Sequence, residues 1–210
     1  VALGVAYLLT GVAWLVSGGF RAPEPLQPSE PFLTILEFLI LLSAPVVVAL
    51  MAAVHGYAPR DRKAAAVAAL AFAGGFAVLT GGVHFVRLIV VHQLPPEEAS
   101  GLSAVAIYPW PTVALALDLL AWDLFLGLAL LLGACAFEGG GLHAVVRLAM
   151  RASGALWVAG VLGPLTGEMR LQFPAILGYA FGLPALSAPL ALLFRRAASL
   201  EPTRHSDGAA

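Results

Sequence analysis

The chain has 210 residues, of which 60% are hydrophobic and only 11% are charged, and its mean hydropathy is +0.93. Soluble domains carry roughly 25% charged residues, so this composition excludes an ordinary soluble domain. The net charge of −1 and the lack of a basic patch argue against a nucleic-acid partner, and the single cysteine excludes an intrachain disulfide and a multi-cysteine metal site.

The apolar residues fall into blocks of twenty or more, which is the length that crosses the hydrocarbon core of a bilayer. In chain order, the sequence predicts membrane-spanning helices at about residues 1–20, 31–55, 64–91, 111–137, 142–165 and 174–194. The first is interpreted as a spanning helix rather than as a removed signal peptide. The expected fold class is therefore all-α: a polytopic six-helix transmembrane bundle over residues 1–196.

The predicted connections differ in length and composition. The proline-rich link 21–30 cannot continue a helix, and the segment 57–63 is a short polar loop. The longest connection, 92–110, is interpreted either as a lid over a site or as an amphipathic connector. Residues 197–210 are polar and are predicted to form a disordered cytoplasmic tail.

Charge bias predicts the orientation in the membrane. Six spans put both termini on the same side, and cytoplasmic termini leave eight basic residues inside against three outside. The inner set is Arg60, Arg62, Lys63, Arg147, Arg151, Arg195, Arg196 and Arg204, and the outer set is Arg21, Arg87 and Arg170. We therefore expect both termini to be cytoplasmic.

Three apolar helices each carry one ionisable residue at a similar predicted depth. Glu37, His84 and Asp118 lie six, seven and seven residues from the outer ends of the second, third and fourth predicted helices. At 1.5 Å per residue these depths are roughly 9–10 Å. Ionisable residues inside a membrane are costly unless they are compensated, and they are functional candidates by default. The pattern predicts a buried polar site in the outer leaflet.

Helical spacing adds neighbours to this layer. Thr80 and Arg87 lie four residues before and three residues after His84, on the same helical face. Trp122 lies four residues after Asp118 and shares its face. The predicted ligand-binding residues are Glu37, Thr80, His84, Arg87, Trp110, Asp118, Trp122 and Asp123.

Asp123 and Trp110 differ in position from the other members of that set. Asp123 lies near the membrane midplane and roughly 140° around the helix from Asp118, so it is assigned to a different contact. Trp110 is expected at the outer interface, where it would form an apolar wall of the cavity together with Trp122.

Three functions are compatible with this layer. The leading hypothesis is the binding of a small polar or amphiphilic molecule, with translocation as an extension. The alternatives are an intramembrane enzyme, in which His84 and a carboxylate (Asp118 or Glu37) transfer protons on a lipid-like substrate, and a structural or sensory subunit with an architectural polar network. One histidine with two carboxylates is a feasible metal-ligand set, but such sites usually include a second histidine, so no metal site and no cofactor are predicted.

Several chemistries lack their minimal motifs. The sequence has no Walker loop, no dinucleotide-binding glycine pattern, no His-Glu-x-x-His and no Gly-x-Ser-x-Gly elbow. A retinal protein needs a lysine inside a membrane helix, and Lys63 lies in a predicted loop.

Three segments carry a resemblance to a known group of proteins. They are ILEFLILLSAPVVVALMAAVHGYA at 35–58, WDLFLGLALLLGA at 122–134 and ASGALWVAGVLGPLTG at 152–167. The chain resembles uncharacterised bacterial six-helix membrane proteins of the domain-of-unknown-function kind. The resemblance implies a six-helix bundle in a bacterial cytoplasmic (inner) membrane and brings no catalytic residues with it.

Overall fold

The computed structural model describes residues 2–16, 32–90, 93–95 and 110–200, and all regular elements within these ranges are helical. The helices are α1 (Ala2–Val16), α2 (Phe32–Tyr57), α3 (Lys63–Ile89), α4 (Val113–Ala136), α5 (Leu142–Gly160) and α6, whose successive pieces are Phe173–Leu177, Gly178–Gly182 and Leu183–Leu200. After α5, a short helix at Leu162–Thr166 and a 3₁₀ turn at Met169–Gln172 lead into α6.

Some sequence predictions fall outside the described residues. These are the link 21–30, most of the connection 92–110 with its predicted lid, and the last part of the predicted tail, 201–210.

The observed helix ends differ from the predicted ends by a few residues. The fourth helix begins at Val113 rather than at Pro111, because the Thr112 side chain accepts the Leu115 N–H at 3.3 Å and caps the first turn. The last helix continues to Leu200, so the first residues of the predicted tail are helical.

Four of the described helices are long and apolar enough to cross a membrane: Thr34–Tyr57, Arg60–Ile89, Val113–Ala136 and Leu142–Thr166. The first helix adds a shorter apolar stretch at Ala2–Ala13. Large apolar side chains on these helices point outward, and Val78 and Leu165 are each 75% exposed. An apolar outer surface of this kind is stable against lipid rather than water, so the protein is a helical membrane protein.

The helices pack mainly against their neighbours in the sequence. The third helix lies between α2 and α4 and has extensive contacts with both, and α5 continues the series beyond α4. The first helix contacts α2 and also the C-terminal piece of α6, which closes the bundle. The core therefore lies between α2, α3, α4 and α5, with α1 and α6 completing the ring.

One end of this bundle, the basic end, is formed by the turns 58–62 and 137–141. The two turns are joined by an ion pair of 3.2 Å between Arg62 Nε and Glu138 Oε1. Lys63 Nζ donates to two carbonyl oxygens in the last turn of α2, at 2.5 and 3.0 Å, and so satisfies acceptors that the helix end leaves open. These contacts fix α2, α3 and α4 relative to one another at this end.

Close helix packing depends on small residues. A Cβ atom on Gly154 of α5 would lie 2.7 Å from the Gly127 carbonyl oxygen of α4, and a Cβ on Gly127 would lie 2.9 Å from Val158 Cγ2. The two backbones therefore touch directly. Without a hydrophobic driving force between helices in lipid, such van der Waals contact is a main source of helix association.

We expect Gly154→Ala to lower the stability of the bundle by about 1–3 kcal/mol, because the new methyl group meets backbone that cannot move away. The matched control is Gly74→Ala in α3, where no atom lies within 4 Å of the added Cβ. The control should be stabilised by about 0.5–1 kcal/mol through helix propensity. Denaturation in mixed dodecylmaltoside and SDS micelles measures both, and a shift in the same direction for both variants would contradict the packing argument.

Candidate functional site

The centre of the polar layer is a contact between α2 and α3. His84 Nδ1 lies 2.5 Å from Glu37 Oε2, in a hydrogen bond that the ring N–H donates to the carboxylate. His84 is 2% exposed and Glu37 is 3% exposed. Since an isolated charge inside the membrane is costly, each of these side chains depends on the other for its compensation.

Arg87 supplies a second partner for Glu37. It lies one helical turn after His84, and its Nε is 2.7 Å from Glu37 Oε1. Each oxygen of the Glu37 carboxylate therefore faces a nitrogen from α3. This contact is an ion pair between the guanidinium group and the carboxylate.

The fourth helix joins the layer through Asp118. Its Oδ1 lies 3.3 Å from His84 Nε2 and accepts a hydrogen bond of 3.0 Å from Thr80 Oγ1. Thr80 Oγ1 in turn accepts a hydrogen bond of 3.0 Å from Trp122 Nε1. The threonine hydroxyl is thus used as donor and acceptor at once, which orients the chain of bonds from Trp122 towards Asp118.

The result is the ion network, by which we mean Glu37, Thr80, His84, Arg87, Asp118 and Trp122. A carboxylate only accepts hydrogen bonds, so His84 can serve both acids when its imidazole carries two protons. In that state two acids face two cations, and the network is neutral as a whole. Charge balance of this kind offsets the free-energy cost of removing the buried ions from water.

The first helix also contributes to this layer. Tyr7 of α1 is half-buried, and it lies close enough to Asp118 and Glu37 for their charges to act on its hydroxyl group. Four helices, α1 to α4, therefore present polar groups to one level of the bundle.

Asp123, the second acid of α4, has a different environment. It is 0% exposed, and neither of its carboxylate oxygens has a hydrogen-bond partner among the described residues. The side chain of Gln172 approaches it, but without the geometry of an ordinary hydrogen bond. Asp123 lies in a π-helical segment, Leu120–Leu126, and such segments are rare and occur frequently at functional sites.

The surroundings of Asp123 come from α5 and α6. A Cβ on Gly160 would lie 3.2 Å from Asp123 Oδ2 and would also collide with Ala175 of α6. The preceding residue, Trp122, contacts Trp157 and Tyr179, with ring centroids 6.3 and 5.5 Å away.

Two further polar atoms in this aromatic layer are buried and have no hydrogen-bond partner among the described residues: Trp157 Nε1 and Tyr179 Oη. We use the name Asp123 cluster for Asp123, its neighbour Gln172, and the two aromatic residues that contact Trp122, namely Trp157 and Tyr179. Buried polar groups are nearly always hydrogen-bonded in native proteins, so each unpartnered atom here requires an explanation.

The structure brings six of the eight predicted site residues into the ion network and leaves Asp123 on the side of α4 that faces α5 and α6. Trp110 is half-buried before the start of α4, and no described contact connects it to the network. Sequence reasoning missed Tyr7, Gln172, Trp157 and Tyr179. Aromatic and amide side chains are common in membrane helices, and no spacing in the sequence distinguished these four.

Comparisons with known proteins add no assignment. No protein-family model matches the chain, and no curated protein or solved structure is significantly similar to it. Within the described ranges, no group of three or more His, Cys, Asp or Glu side chains could hold a metal ion.

We expect Glu37→Gln to destabilise the protein by about 3–5 kcal/mol, because it leaves buried cations on α3 without their counter-ion. Asp61→Asn is the matched control, since Asp61 pairs with Arg62 at 3.1 Å on the exposed surface. The control should change stability by about 1 kcal/mol or less. Denaturation in micelles measures the stability of both variants. Equal losses of stability would show that the buried ion network stabilises the protein no more than an exposed ion pair does.

Proposed function

We propose that this protein binds a small polar or amphiphilic ligand, carrying a cationic or hydrogen-bond-donating group, in the polar interior of its helix bundle. The observation that carries the proposal is the Asp123 carboxylate, which is fully buried in the middle of a membrane-length helix with both oxygens unpartnered among the described residues. An ionised carboxylate in that position costs several kcal/mol, and a donor from a ligand would offset that cost.

The contrast with the ion network supports this choice of site. Glu37, His84 and Asp118 already face one another at 2.5 and 3.3 Å, so each carboxylate there has a nitrogen partner within the protein. The Asp123 cluster instead offers two carboxylate oxygens, an indole N–H and a phenol O–H. A ligand with both donor and acceptor groups would complement that set.

The same surroundings set the size and type of the ligand. The backbone of α5 at Gly160 lies directly against the carboxylate, so the group that binds there has to be small. The nearby rings of Trp122, Trp157 and Tyr179 favour a compact ammonium or hydroxyl group, since aromatic faces attract cations and bury apolar substituents.

We also propose a membrane topology for the chain. Six spans with both termini in the cytoplasm, in a bacterial inner membrane, would put the basic end on the inner side. This orientation agrees with eight basic residues inside against three outside. The Asp123 cluster would then lie near the midplane, where a translocated ligand would pass it.

An architectural role is the second candidate, and the pairing within the ion network favours it. A network whose charges balance holds α2, α3 and α4 in register without needing a ligand. The enzymatic alternative has less support, because His84 is 2% exposed and both of its nitrogens face carboxylates. A general base needs to reach its substrate directly or through one water.

We expect Asp123→Asn to raise the apparent melting temperature of the ligand-free protein, because it removes an uncompensated buried charge at nearly constant volume. A gain of about 1 kcal/mol corresponds to about 2–4 °C for a chain of this size. The isosteric control on the same helix, Asp118→Asn, should lower the melting temperature, because Asp118 is paired with His84 and Thr80. A loss of stability in both variants would favour the architectural role.

We also expect small ammonium and hydroxyl compounds to stabilise the unmodified protein and not the Asp123→Asn variant. Ammonium, methylammonium, ethanolamine and glycerol are suitable probes, and the melting temperature should rise with the concentration of those that bind. Equal shifts in the two proteins would count against Asp123 as the binding residue.

The topology has its own test, in a Cys135→Ser background. Gly140 lies in the exposed turn of the basic end, and Thr166 is the exposed last residue of the short helix that follows α5. We expect a membrane-impermeant maleimide to label Thr166→Cys in intact cells and Gly140→Cys only after permeabilisation. The reverse pattern would overturn the proposed orientation.

A further inference from the structure

A cavity of about 290 Å³ opens at the basic end, away from the Asp123 cluster. Its lining includes Arg62, Arg147 and Arg151, together with Cys135, Phe137 and Glu138. The volume is close to the lower end of the roughly 300–1,000 Å³ that ligand pockets occupy. The cavity is therefore large enough for a small head group.

Arg147 builds one wall of this cavity. Its Nη1 donates to the Phe137 and Gly139 carbonyl oxygens, at 2.8 and 3.2 Å. These bonds hold the turn between α4 and α5 against the first turns of α5. The position of the arginine is thereby fixed by the backbone and does not depend on a ligand.

Arg62 and Arg151 also line the cavity. Arg62 pairs with Asp61 and Glu138 through a single nitrogen, Nε, although a guanidinium group has five N–H donors. Arg151 lies one turn after Arg147 on the same face of α5, and it has no hydrogen bond or ion pair among the described residues. The lining carries three arginines against one glutamate, which gives an excess of positive charge.

We propose that this cavity binds a phosphate group, with Arg151 and Arg62 as the principal ligands. Planar guanidinium groups match the oxygens of a phosphate and bind it through charge-assisted hydrogen bonds. The phosphate belongs either to the head group of an anionic lipid or to a free phosphate ion. The inference is independent of the ligand proposed at Asp123.

The surface beside the cavity favours the lipid source. Leu162, eleven residues or about three turns after Arg151, lies on the same side as the arginine and is 52% exposed. Acyl chains lying along this face would leave their phosphate at Arg151. In the orientation proposed above this end is cytoplasmic, and basic pockets between membrane helices on that side are typical sites for anionic lipid head groups.

Cys135 provides a built-in reporter for this site. It is the only cysteine in the chain, it lines the cavity, and it is half-buried. With the protein purified in dodecylmaltoside, which has no phosphate, we expect phosphatidylglycerol to slow the reaction of Cys135 with N-ethylmaleimide. Dioleoylglycerol, which has the same chains and no phosphate, should leave the rate unchanged.

Two further experiments identify the source of the phosphate and the residues that bind it. Protection by inorganic phosphate alone at equivalent concentration would assign the site to the free ion, and protection by phosphatidylglycerol alone would assign it to the lipid. Arg151→Gln should weaken phosphatidylglycerol binding about tenfold, because it removes a charge-assisted hydrogen bond. Arg151→Lys should restore part of it, and the control Arg170→Gln, at a side chain that is 93% exposed, should have no effect.

Native mass spectrometry measures the same binding without the thiol, by counting phosphatidylglycerol molecules retained on the full chain. We expect the unmodified protein to retain one more than the Arg151→Gln variant. Equal retention by these two proteins, or protection of Cys135 by dioleoylglycerol as strong as that by phosphatidylglycerol, would overturn the proposal.

Discussion

The bundle depends on the contact of Glu37 with His84 and Arg87, and of His84 with Asp118. In a medium without water, a charged side chain with no partner costs several kcal/mol, so these residues restrict how α2, α3 and α4 can be arranged. Sliding or rotating any of the three helices would separate the charges. Apolar packing alone would tolerate many arrangements, because lipid and leucine side chains are equally apolar. The ion network therefore supplies specificity that the hydrophobic surface of each helix lacks.

Two acids on α4 show how strongly local geometry changes the role of a carboxylate. Asp118 faces α3 and takes part in the network, whereas Asp123 faces α5 and α6 and has no hydrogen-bond partner among the described residues. Their five-residue spacing already places the two side chains roughly 140° apart around the helix, and Asp123 itself lies inside the π-helical segment Leu120–Leu126. One acid is paired within the bundle, and the other carries a desolvation cost that the proposed ligand would offset. This contrast is the physical basis of the functional proposal.

The polar groups of the protein are separated by depth. The ion network and the Asp123 cluster lie inside the bundle, while Arg62, Arg147 and Arg151 lie in the turn 58–62 and in the first three turns of α5. Arginines near a membrane surface can reach water and phosphate with their heads and keep their stems against apolar residues. The cavity at the basic end follows from this arrangement, because the turn held by Arg147 leaves space between α4 and α5 that apolar side chains do not fill.

The sequence by itself determined the helical membrane class and the candidates for a polar layer. Segment length and hydropathy are local properties, and the fixed rise of a helix converts residue spacing into depth, so Glu37, His84 and Asp118 could be assigned to one level in advance. Only the tertiary structure decided which helix faces meet. The 3.6-residue period separated Asp123 from Asp118, but the lack of a hydrogen-bond partner for Asp123 among the described residues, the approach of Tyr7 and the basic cavity emerged only in the folded protein. The sequence does not specify these features, because they arise from the packing of segments far apart in the chain.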